Sequence, residues 1–178
     1  MIRPMQHCLV TGGIRSGKSA LAERLVAAGA GPVCYIATAR SGDGEMAERI
    51  HRHQQRRPSG WALVEEPRAL GTALDNLAAD DAPTLLVDCM SLWLGQMLGE
   101  DDGAAWSSER DAFLAALARY PGRAVIVSNE VGLGIIGMDP LTRRFADELG
   151  WLNQSLAERC DTVVMAVAGL PHVLKGEI

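Results

Sequence analysis

The sequence predicts an α/β fold, a largely parallel sheet covered by helices on both faces, and three observations carry that prediction. Short apolar runs alternate with amphipathic ones along most of the chain, as strands alternating with helices require. The first strand, helix and second strand fit within about 30 residues, the spacing of a parallel pair joined by a right-handed crossover. Between that first strand and helix lies Gly-Gly-Ile-Arg-Ser-Gly-Lys-Ser, residues 12–19. It matches G-x-x-x-x-G-K-[ST], the phosphate-binding loop.

Residues 7–11 read as a buried strand that ends at this loop. A helix over 18–28 follows, with Leu21, Leu25 and Ala28 at helical spacing and Gly29 as its stop. Residues 33–37 are a second strand, where Tyr35 and Ile36 are strand formers. After a polar turn that Ser41 or Asp43 can cap, a helix is expected over 44–57. Its Glu45–Arg49 and Glu48–Arg52 pairs are four residues apart in the favourable order. Met46, Ile50, His53 and Arg57 share one face, which turns from apolar to cationic along its length, and Pro58 and Gly60 end it. A short strand over 61–64 and a helix over 68–79 come next. Residues 84–87 form a strongly apolar strand ending in Asp88. Helices over 91–98 and 106–120 flank a surface loop at 99–105. A strand over 124–128 leads into a Gly-rich loop, 129–140, and then a long helix, 141–159, with an interruption expected near Gly150. The final strand is 162–167.

The 178 residues favour one compact domain, 1–178, and 48% hydrophobic content is enough for a sizeable core. The net charge of −5 argues against a duplex nucleic-acid binder, and the four tryptophans are too scattered for a base-stacking platform. Cys8, Cys34, Cys89 and Cys160 form no C-x-x-C pair. Zinc-site spacing is therefore absent, and reduced thiols are expected. No apolar run reaches a membrane span, and the start, Met1-Ile-Arg-Pro, lacks the apolar core of a signal peptide. The expectation is a cytoplasmic protein.

In the loop, Gly12 and Gly17 allow the tight turn that aims successive N–H groups at phosphate oxygens. Lys18 would set its ammonium against the β and γ phosphates, and Ser19 would offer its hydroxyl to Mg²⁺. The helix that follows points its positive end at the anion. Asp88, at the carboxyl end of a buried strand, is placed to meet the metal or the nucleotide; capping the next helix is the alternative. On the 44–57 helix, a neutral imidazole can attack phosphorus while Arg49, Arg52, Arg56 and Arg57 bind phosphate oxygens. A solvated basic face is the competing reading, and composition does not separate His51 from His53. Glu130 could orient Mg²⁺ or water, or order its loop. Arg143, Arg144, Asp147 and Asn153 on the next helix could face a ligand, with the surface reading favoured on spacing, and nothing local distinguishes Glu65 from a turn acid.

The segments TGGIRSGKS, YIATA, DGEMAERIHRHQQRRP, LLVDC, SNEVGLGI and AVAGLPHVLKG, in this order across almost the whole chain, resemble one family. It is the bifunctional adenosylcobinamide kinase / adenosylcobinamide-phosphate guanylyltransferase family of cobalamin biosynthesis. The resemblance implies a RecA-like phosphate-loop NTPase fold and two reactions. ATP or GTP phosphorylates the aminopropanol hydroxyl of adenosylcobinamide. GMP then passes from GTP, through a guanylyl-histidine, to adenosylcobinamide phosphate. The family's histidine, three residues after the Ile of an Arg-Ile pair, falls on His53. Its GTP contacts fall on Gly12, Gly13, Ile14, Arg15, Ser16, Gly17, Lys18 and Ser19, on Ala37, Thr38 and Ala39, on Gln54, Gln55, Arg56 and Arg57, and on Glu65 and Asp88. The resemblance also implies a homotrimer with sites between subunits. A phosphate-loop kinase of another small metabolite and a non-catalytic nucleotide-binding switch are the alternatives the residues leave open.

Overall fold

The computed structural model describes residues 7–39, 58–100 and 103–178. Seven strands form one sheet: β1 (His7–Gly12), β2 (Val33–Ala37), β3 (Ala62–Glu65), β4 (Thr84–Asp88), β5 (Ala124–Val127), β6 (Thr162–Val167) and β7 (Leu170–Lys175). Their order is β3-β2-β4-β5-β1-β6-β7. The first six run parallel, and β7 returns antiparallel to β6. The described helices are α1 (Lys18–Ala27), α2 (Leu70–Leu77), α3 (Met90–Gly99), α4 (Trp106–Arg119) and α5 (Pro140–Arg159). The helix expected over 44–57 lies outside the described residues.

Alternation along each buried strand separates two cores, because successive side chains point to opposite faces. On one face Leu9, Ile36, Leu85, Val87 and Ile126 pack with apolar side chains of α2 to α5. On the other, Cys8, Val10, Tyr35, Leu86, Val125 and Val127 meet Leu21, Ala22 and Val26 of α1. Trp93 anchors the first core. It is fully buried, lies edge-on to Trp106 at 5.0 Å and to Phe113 at 5.4 Å, and donates its indole N–H to the Arg68 carbonyl. Trp93→Ala is expected to cost about 3–5 kcal/mol through the cavity and the lost aromatic contacts, read as a lower urea midpoint.

Two expectations need correction. The helix 140–159 is continuous through Gly150. A helical glycine costs only about 1 kcal/mol, and Leu149, Leu152 and Leu156, all fully buried, hold both halves to the same core. The strand at 162–167 is not the last. A tight turn with Ala168 and Gly169 at positive φ reverses the chain into β7. Asp139 caps α5 by accepting the Thr142 N–H at 2.8 Å, with Pro140 in the first helical turn.

Candidate nucleotide site

The register aligns the carboxyl ends of the strands. Ala37 pairs with both Glu65 and Asp88, Asp88 pairs with Val127, and Val127 pairs with Val10. Glu65, Ala37 and Asp88 therefore form one row, and the phosphate loop rises from β1 two strands away. This is the edge at which open α/β sheets bind ligands. Asp88 also shares the parity of Leu86, which faces the α1 side of the sheet.

The loop is tight because its glycines are unavoidable. Gly12 has φ 154°, and a Cβ there would lie 2.6 Å from the Ala166 carbonyl oxygen. Gly17 has φ 89°, and its Cβ would press on Gly169 at 3.1 Å. The Gly169 N–H donates to the Ser16 carbonyl at 2.8 Å, so the β6–β7 turn braces the loop from behind. Gly17 is the N-cap of α1, with no side chain to cap the helix. The first N–H groups of α1 are thus left to a ligand. Ile14 and Arg15 are exposed at the tip of the loop, and Gly13 and Ser19 are half-buried. The buried Ser16 hydroxyl has no hydrogen-bond partner among the described residues. A loop with unfilled donors fits an anion.

Lys18 Nζ donates to the Gly13 carbonyl at 3.0 Å. Burial pushes its pKa down, while Cys89 and Asp88 oppose that shift. Burial also raises the Cys89 thiol to about 11. Asp88 does not cap α3. The N-cap is Cys89, with no side-chain cap, and Asp88 Oδ2 instead accepts the Tyr35 hydroxyl at 3.1 Å. Ser19 and Asp88 suit a hard, oxygen-seeking ion. Among the described residues no group of three His, Cys, Asp or Glu side chains could hold a metal alone. An ion here would take the rest of its shell from phosphates and water, as Mg²⁺ does.

Thr38 is fully buried and serves the scaffold. Its hydroxyl donates to the Cys89 carbonyl at 2.8 Å and accepts the Cys89 N–H at 2.9 Å, while Gln96 donates to the Thr38 carbonyl at 2.6 Å. This latch joins the ends of β2 and β4, and nothing local in the sequence announces it. Ala39 is half-buried and Glu65 exposed. His51, His53, Gln54, Gln55, Arg56 and Arg57 lie outside the described residues. Asn153 is no surface residue in function: its amide nitrogen donates to the Asn129 carbonyl, and its amide oxygen accepts the Ser128 hydroxyl. Arg143 donates to the Met138 carbonyl at 2.5 Å.

A sheet of this topology, with a phosphate loop after β1 and an acid at the end of β4, defines a RecA-like phosphate-loop nucleotide enzyme. The solved structure of the RadB recombinase shares the fold, with a TM-score of 0.53, 19% identity, and coverage of 90% of this chain and 73% of that one. The chain belongs to the cobinamide kinase / cobinamide phosphate guanyltransferase family, whose model matches residues 8–174. It is 52% identical over 169 residues to the bifunctional adenosylcobalamin biosynthesis protein CobP of Pseudomonas aeruginosa, covering 95% of this chain and 97% of that protein. It is 40% identical over 181 residues to the bifunctional adenosylcobalamin biosynthesis protein CobU of Salmonella typhimurium, covering 94% and 98%. No described helix is long and apolar enough to cross a membrane.

Proposed function

We propose that this enzyme phosphorylates adenosylcobinamide with ATP or GTP and then transfers GMP from GTP, through a guanylyl group on His53, to give adenosylcobinamide-GDP. The observation that carries the reading is the convergence of the phosphate loop, Asp88, Ala37 and Glu65 on one sheet edge, in a chain of this family. The backbone cradle and Lys18 grip the β and γ phosphates in both reactions. That grip leaves the γ phosphorus open to the substrate hydroxyl, and the α phosphorus open to an imidazole from another side. The attack of His53 forms an N–P bond and expels pyrophosphate. The phosphate of adenosylcobinamide phosphate then displaces the imidazole. Splitting one difficult displacement in this way lowers each barrier. Gln54, Gln55, Arg56 and Arg57 would hold phosphate oxygens beside it. Ser19 and Asp88 would hold Mg²⁺, which spreads the charge of the transferring group.

Incubating the protein with GTP and adenosylcobinamide, with corrinoid products resolved by mass, tests the reading. Both the phosphate and the GDP product are expected; nucleotide hydrolysis with unaltered corrinoid contradicts it. Tyr35→Phe removes the only donor to Asp88 Oδ2 among the described residues. Roughly 10-fold more Mg²⁺ is expected for half-maximal rate, at an unchanged melting temperature.

We place the enzyme in the cytoplasm as a homotrimer. Supporting association, β7 is an exposed edge strand with Leu170 and Leu174 outward, and Ile135 and Met138 are almost fully exposed in the loop before α5. Open edges and clustered apolar side chains favour a protein partner. Light scattering on the eluted protein checks this, and a monomer at working concentration would refute it.

A further inference from the structure

The geometry points to Glu130 as a catalytic carboxylate of the phosphoryl-transfer step, the group that takes the proton from the acceptor hydroxyl. The inference rests on the kinase half of the proposed function. Strand β5 is inserted between β1, which carries the phosphate loop, and β4, which carries Asp88. The chain leaving β5 therefore starts between the loop and the acid. The backbone is tied there at two points. The Ser128 N–H donates to the Val10 carbonyl at 2.9 Å, and the Glu130 N–H donates to the Gly12 carbonyl, the first residue of the loop, at 3.0 Å. Glu130 is thus in register with the phosphate cradle itself.

Its side chain is held by one oxygen. Oε1 accepts the Gly132 N–H at 3.1 Å, whereas Oε2 has no hydrogen bond among the described residues. A carboxylate fixed in this way keeps its orientation and leaves a lone pair for a substrate proton. The turn beneath it is tied by hydrogen bonds. The fully buried Ser128 donates to Asn153 at 2.5 Å, and Asn153 donates back to the Asn129 carbonyl at 3.0 Å. One side chain from a separate element, Asn153 of α5, is thereby committed to both residues preceding Glu130, the kind of support that positions a reacting group.

The step balances simply. The substrate oxygen forms a bond to the γ phosphorus, the bond from that phosphorus to the β–γ bridging oxygen breaks, and the nucleoside diphosphate leaves with the electron pair. The hydroxyl proton goes to Glu130 Oε2 and then to water. Glu130 has no part in guanylyl transfer, where the attacking groups, an imidazole and a phosphate, need no base of this kind.

Glu130→Gln keeps the shape and the acceptor for Gly132 while removing the basic oxygen pair. Three measurements test it on the full chain: phosphorylation of adenosylcobinamide, guanylyl transfer to preformed adenosylcobinamide phosphate, and binding of a non-hydrolysable GTP analogue. A fall of about 10²–10⁴ in kcat for phosphorylation is expected, with KM, analogue binding and guanylyl transfer each within about 3-fold of wild type. Glu130→Asp should recover part of the lost kcat. Phosphorylation within 3-fold of wild type overturns the inference. So does an equal loss of both reactions with weakened analogue binding, which would mark a residue that only orders its loop. Recovery of Glu130→Gln at high Mg²⁺ would assign the residue to ion binding and also overturn it. Failure of the wild-type protein to phosphorylate adenosylcobinamide would instead sink the proposed function.

Discussion

A His53→Ala variant is expected to lose formation of adenosylcobinamide-GDP by more than about 10³-fold while still phosphorylating adenosylcobinamide at a rate near that of wild type. The asymmetry follows from the chemistry. Guanylyl transfer through a covalent intermediate has no route once its nucleophile is gone, and removing a nucleophile costs far more than removing a binding contact. In the proposed scheme the phosphoryl step uses the other end of the triphosphate, and its cradle is the loop between β1 and α1, which His53 does not supply. His51→Ala is the control. It removes an imidazole two residues away and is expected to leave the GDP product within a few-fold of wild type. Corrinoid products resolved by mass report both reactions at once. Equal loss of both products in His53→Ala, or loss only in His51→Ala, contradicts the assignment.

Lys18→Met is expected to lower both reactions together, by about 10²–10³-fold in kcat, with little change in melting temperature. The Lys18 ammonium is half-buried and bonded to the Gly13 carbonyl, and in the proposed reactions it meets the charge of the phosphates. Its removal should not unravel the loop. Gly13 O keeps the Ser16 N–H at 3.3 Å, the Leu21 N–H still reaches Gly17 O, and the Gly169 brace on Ser16 is untouched. Methionine also carries no charge to desolvate. Selective loss of one reaction would show that the two do not share the cradle; a large drop in melting temperature would show that Lys18 is chiefly structural.

The contrast between these residues reflects what is legible in a sequence. Gly12, Gly17, Lys18 and Ser19 declare themselves because the turn, the cradle and the helix start are all local. The row of Glu65, Ala37 and Asp88 was half-legible: each strand end can be read, but only the pairing of β3, β2 and β4 brings them level. The latch of Thr38 on Cys89 and the tie from Asn153 to Ser128 span 51 and 25 residues, and no spacing rule reaches that far. Capping α3 is the lesser alternative the sequence offers for Asp88, and the Cys89 N-cap and the Tyr35 hydrogen bond decide against it. Strand β7 escaped notice because its residues are exposed on both faces and Pro171 interrupts the pattern a strand should show. Gly150 misled in the opposite direction: a weak local preference was overruled by three buried leucines. Composition does not separate His53 from His51, two residues away on a basic segment; helical spacing puts only His53 on the face of Met46 and Ile50, and the family resemblance selects it.

The most direct test of the account is to incubate the wild-type protein with Mg²⁺ and α-³²P-labelled GTP, without corrinoid, and to map any adduct by peptide mass. The account predicts an acid-labile GMP group on His53 that chases into adenosylcobinamide-GDP when adenosylcobinamide phosphate is added. An unlabelled protein that still makes this product, or an adduct on any other residue, would contradict it.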